Sequence, residues 1–126
     1  MDKKIKFASN FYKFSGIYGI LVLFPQYFME TKNGIDFPPA INHPEYYYGF
    51  IGVALAWQVL FFILATDPLK YRLMMLPTML EKASWGFACI VLYLQNKLHF
   101  LMLIAGFIDL FLMIGFIISF RLLKEN

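Results

Sequence analysis

Four apolar stretches set the terms on which this chain can fold: 7–29, 46–66, 73–95 and 98–120, with a longer outer loop at 30–45 and two short connections. Each reaches the roughly 20 residues a helix needs to cross ~30 Å of hydrocarbon. Backbone groups in lipid must pair within their own segment, and no stretch alternates as a barrel strand would, so each is expected as a helix. Only Asn96 and Lys97 separate the last two stretches, which must then be antiparallel neighbours. The expected fold is all-α: one transmembrane domain, 1–126, forming a membrane four-helix antiparallel bundle, up-down-up-down. Composition agrees, since 60% of residues are hydrophobic and 15% charged, against about a quarter charged in soluble domains.

The placement of charge says more than its sum of +3. Lys3, Lys4, Lys6 and Lys13 flank the first stretch, Lys70 and Arg72 lie in the second connection, and Arg121 and Lys124 follow the fourth, whereas the opposite end carries only Lys32 and Lys97. Basic residues accumulate in short cytoplasmic loops, so both termini are expected in the cytoplasm. No basic stripe alternates with aromatics, which excludes a nucleic-acid partner. Cys89 is the only cysteine, so no disulfide or CxxC redox pair can form within the chain, and it reads as a small core residue. Basic residues ahead of an apolar run make the N-terminus look like a signal peptide, but Pro25, Gln26 and Tyr27 replace a small-x-small cleavage site, and a retained first span is expected.

In the outer loop, Pro38, Pro39 and Pro44 withhold backbone donors and Asn33-Gly34 signals a turn, so an extended, semi-rigid cap is expected. Glu45 is expected to cap the second span, Asp67 with Pro68 to stop one helix and start the next, and Pro77 to kink the third by removing a bond to the Leu73 carbonyl. Gly49, Gly106 and Gly115, and the pairs Gly52/Ala56 and Ser84/Ala88, are expected where helices approach closely.

Glu81, Lys82 and Asp109 lie inside these stretches, where an ionised side chain costs roughly 2.5–3.5 kcal/mol on insertion scales and calls for a partner, a wet cavity or a task. At about 1.5 Å per residue they share a level with Trp57, Gln58 and Tyr18, forming a polar layer just below mid-bilayer. Successive helical residues point about 100° apart, so Glu81 and Lys82 are not expected to neutralise one another simply. Lys82 is expected to pair with Asp109 across the last two helices, and Glu81 to accept from Trp57 Nε1, Gln58 or Tyr18. Such a layer can be an ion pair fixing register, the lining of a cavity for a small molecule or lipid, or an ion route needing an oligomer. At the cap, His43, Glu45 and Asp36 have metal-compatible chemistry without ligand spacing; no metal and no cofactor is expected. Tyr46, Tyr47 and Tyr48 read as an interfacial belt, with His99 in the same zone.

The strings GIYGILVLFPQYFME, PPAINHPEYYYGFIGVALAWQ, TDPLKYRLMMLPTMLEKASWG and GFIDL resemble those of small four-span bacterial integral membrane proteins to which no activity is assigned. A looser architectural likeness is to DoxX-type membrane proteins. The resemblance implies a multi-pass inner-membrane protein. The expected function is a non-enzymatic membrane component, or a bundle binding a small molecule or lipid through its polar layer, with lipid, a second copy or a membrane protein as partner. Two alternatives stay open: a small oligomeric transporter, though the first span lacks the carboxylate that four-span exporters place there, and a lipid-modifying enzyme, though no nucleophile or metal set is recognisable.

Overall fold

Asp2 starts the first helix by accepting the Lys4 backbone N–H at 3.1 Å, and the chain runs helical from there. The computed structural model describes residues 2–124. Among them are five α-helices and no strand: α1 (Lys3–Leu23), α2 (Glu30–Asp36), α3 (Pro44–Thr66), α4 (Met75–Leu94) and α5 (Phe100–Leu122). Of the four helices expected to span a membrane, α3 and α5 are long and apolar enough, with mean hydropathies of 2.0 and 2.6. The lysines in the first half of α1, and Glu81 with Lys82 in α4, set those two helices apart from them.

Several local expectations are corrected. The outer loop is partly helical: α2 absorbs the Asn33-Gly34 turn signal, supported by a Lys32–Asp36 ion pair at 2.9 Å one turn apart. It ends before Pro38, as the steric bias against helix ahead of proline requires. His43, not Glu45, is the N-cap of α3, with Pro44 first in the helix; Glu45 instead sits in the first turn, where the helix dipole favours an acid. Asp67 accepts from Lys70 N–H within the connection and does not cap α4. Pro77 falls in the first turn of α4, where the missing N–H would have had no helical partner, so the anticipated kink has no cause.

The helices pair antiparallel. α1 lies along α3, with Ser9 Oγ donating to the Ala65 carbonyl (2.7 Å) near one end and Gly19 against the Gln58 carboxamide further along. α4 lies along α5, where Gly106 is required: a Cβ there would stand 2.6 Å from Cys89 Cβ. The close approaches thus fall at Gly16, Gly19, Gly86, Gly106 and Gly115; Gly49 has no neighbour within 4 Å, and Gly52 meets only Tyr27 at ordinary contact distance. Ala56, Ser84 and Ala88 face outward.

The two hairpins join at the end that carries the termini. There Tyr12 stacks on Phe116 with centroids 4.1 Å apart, Phe61 meets both rings edge-on, and the Tyr12 hydroxyl bonds to Thr78 Oγ1 at 2.8 Å. Leu64, Met75 and Leu123 complete this core. Arg72 reaches from the α3–α4 connection to donate twice to the Phe120 carbonyl, at 3.0 and 2.8 Å, satisfying an acceptor in the last turn of α5. At the opposite, cap end, the Tyr47 hydroxyl donates to the Gln26 carbonyl and receives Asn33 Nδ2, while the Tyr48 hydroxyl donates to Glu30, tying α2 to α3.

Candidate functional site

Because the core closes only the terminal end, the cap end is left open. A cleft of about 1160 Å³ lies there, lined by residues from the end of α1, the cap, the start of α3, Trp85 and the α4–α5 turn. A smaller pocket of about 160 Å³ lies between the hairpins, lined among others by Tyr18, Gln58, Glu81, Lys82, Trp85 and Asp109. Val22, Gln26, Phe50, Trp85 and Met102 line both. The two spaces therefore adjoin, a wide, mostly apolar cleft beside a small pocket with a charged floor. Phe50 and Trp85 face each other with centroids 6.5 Å apart, from α3 and α4.

The floor is built on mid-helix positions. Lys82, with its side chain 5% exposed, stands 3.6 Å from Asp109 Oδ1 and 3.7 Å from Glu81 Oε1. Its ammonium also lies 5.4 Å from the centroid of the Phe61 ring. The Lys82–Asp109 approach joins α4 to α5 as the residue spacing predicts. The pairing with Glu81 corrects the expectation drawn from their adjacency: the four-carbon stem of lysine lets its head cross the angle between neighbouring side chains.

Glu81 Oε1 is buried and receives no hydrogen bond, so the donors expected from Trp57, Gln58 or Tyr18 do not reach it. Gln58 turns its Nε2 to its own helix, donating to the Ala54 carbonyl at 2.7 Å, and its Oε1 is likewise without a donor. Gly19 makes room for this carboxamide; a Cβ there would collide with it. Trp57 packs on the core at the terminal end and does not line the pocket. Its place is taken by Trp85, which sequence reasoning passed over although it stands three residues after Lys82 and so shares its helix face.

The cap candidates do not converge. Asp36 pairs with Lys32, while His43 Nδ1 lies 3.5 Å from Glu45 Oε2 on the surface and its ring stacks on Tyr46. Among the described residues no three His, Cys, Asp or Glu side chains gather to hold a metal ion. His99 caps α5, its Nδ1 accepting from Leu101 N–H at 3.1 Å, and its ring meets Phe37 edge-on beside the cleft.

The chain matches no protein-family model, no curated protein and no solved structure.

Proposed function

We propose that the chain is a non-enzymatic, multi-pass integral membrane protein, a four-helix antiparallel bundle that holds an amphiphilic small molecule or lipid in its cap-side cleft. The outward faces of the helices support the membrane reading. Only 33% of the apolar stretch of α3 and 28% of that of α5 is buried, where a soluble core helix would hide most of its length. Phe14, Leu21, Val53, Leu80, Phe87, Phe107 and Phe111 are all exposed, spread over the four long helices. That apolar surface suits acyl chains and would drive aggregation in water. α1 and α4 complete the bundle on this reading, their charges lying near an end or facing the internal pocket. The termini then lie in the cytoplasm, on the bias of Lys and Arg toward that end of the bundle.

The observation that carries the binding role is the adjacency of a mostly apolar cleft and a pocket floored by charges, with five lining residues in common. Ligand sites typically enclose ~300–1,000 Å³ of mostly apolar space with a few convergent polar groups. The cleft, at about 1160 Å³, stands just above that range, and the adjoining pocket of about 160 Å³ supplies the convergent polar groups. Trp85 reports on it directly, because the chain has two tryptophans and Trp57→Phe leaves Trp85 alone. In phosphatidylcholine nanodiscs, octanol should change Trp85 emission saturably, and Val22→Phe, which fills the junction of the two spaces, should abolish the change. A linear response indifferent to Val22→Phe would sink the cleft reading.

A further inference from the structure

The inference rests on the cleft reading above and specifies what the cleft takes. Glu81, Asp109 and Lys82 place two carboxylates around one ammonium at its floor. With all three ionised the set carries one net negative charge. The separations of 3.7 and 3.6 Å exceed the ~2.7–2.9 Å of a charge-assisted hydrogen bond, so Lys82 is shared between the carboxylates and docked on neither.

Two acceptors of the pocket are also left without a hydrogen bond. Gln58 is 1% exposed and lines it, yet with Nε2 committed to Ala54 its Oε1 receives no hydrogen bond. Glu81 Oε1 is a second buried acceptor without a hydrogen bond, the Lys82 ammonium standing 3.7 Å from it. Unmet buried acceptors leave their desolvation uncompensated, and they are answered only by a group that brings donors. Phe50 and Trp85 stand at the mouth, and aromatic faces attract cations. Beyond them the cleft is wide and mostly apolar.

We infer that the pocket binds the ammonium group of an amphiphilic amine, with the apolar body of the ligand in the cleft. A primary ammonium brings three donors and no acceptor, together with a second positive charge beside that of Lys82, so that the two carboxylates are matched one for one. An alcohol brings one donor and no charge, and a carboxylate would meet Glu81 and Asp109 with like charge. The same chemistry is available from an aminolipid headgroup of the surrounding bilayer or from a free alkyl or aryl amine.

The test uses the full chain with Trp57→Phe in phosphatidylcholine nanodiscs, whose quaternary headgroup carries no N–H. Trp85 emission is followed at neutral pH during titration with octylamine, octanol and octanoate. Octylamine should saturate at about tenfold lower concentration than octanol, with octanoate weakest. Asp109→Asn and Gln58→Leu should each weaken octylamine about tenfold more than they weaken octanol. Equal affinity for amine and alcohol overturns the ammonium assignment while leaving the cleft in place; no saturable response to any of the three overturns the cleft as well. The unsubstituted pocket's preference decides the matter even where a variant fails to fold. Competition by added phosphatidylethanolamine identifies the bilayer as the source of the amine, and saturable octylamine binding without such competition identifies a free amine, both in keeping with the ammonium site.

Discussion

Lys82 holds its position through charge, and that can be measured. A buried ammonium without counter-charges is expensive, and so are two carboxylates left without their ammonium. Lys82→Met keeps most of the side chain's length but leaves Glu81 and Asp109 facing one pocket, and should destabilise the fold by about 3–5 kcal/mol. The loss would appear as a fall in the thermal midpoint in detergent. Adding Glu81→Gln and Asp109→Asn removes the stranded charges and should restore most of it; a triple variant as unstable as the single one would show that packing of the lysine stem, not charge, is what matters. These three residues were legible in the sequence because charges are few within the apolar stretches and each stands out. Their partners were less so. Depth along a helix grouped Trp57 with the layer, but depth carries no information on rotation, and one step of about 100° turned Trp57 to the core. The self-bonding of Gln58 to Ala54 was invisible for a different reason: a carboxamide chooses between its own helix and a neighbour only once the neighbour's distance is fixed.

At the scale of elements, helix existence was readable from apolar length, and helix ends less so because they depend on local capping. Asn96 illustrates the point. It takes φ 60, the left-handed region, and lets Lys97 N–H reach the Leu92 carbonyl at 2.9 Å, closing α4 with the bond pattern of a Schellman turn. The sequence showed only that the connection was short. What joins the hairpins was hidden altogether, since Tyr12 and Thr78 lie 66 residues apart. Their bond is a polar link inside a largely apolar and aromatic contact, and Thr78 Oγ1 is also 2.6 Å from the Met75 carbonyl. Tyr12→Phe should therefore cost about 1 kcal/mol, as should Thr78→Val, and the double variant less than the sum. Additive losses in denaturant titrations would mean that each hydroxyl acts alone. Arg72→Ala removes both donors to the Phe120 carbonyl and the guanidinium 3.7 Å from the Phe120 ring centroid. It should cost about 1.5–3 kcal/mol, as for hydrogen bonds to a charged group, with faster hydrogen exchange confined to the last turn of α5.

For the molecule as a whole, the antiparallel pairing of α1 with α3 and of α4 with α5 gathers the start of α1, the end of α3, the start of α4 and the end of α5 at one pole. Of the 11 Lys and Arg residues, 8 lie toward that pole, 2 lie at the cap and Lys82 lies in the pocket. Lys3, Lys4 and Lys6 open α1, where the helix dipole disfavours positive charge, and no acid shares its first turn. Helix stability therefore gives no reason for this cluster, whereas the proposed orientation in a membrane would. On that ground a fluorescent reporter fused after Lys124 should mature in the cytoplasm, and a phosphatase fused there should stay inactive. A phosphatase inserted in the irregular segment after Asn42, between α2 and α3, should be active outside it. Moving charge tests the cause as well as the outcome: Lys3→Gln, Lys4→Gln and Lys6→Gln combined with new lysines in the cap should produce a mixed population. If orientation stayed uniform under that reversal, the basic pole would be a consequence of topology and not its determinant, and the apolar lengths of α3 and α5 would have to set the insertion by themselves.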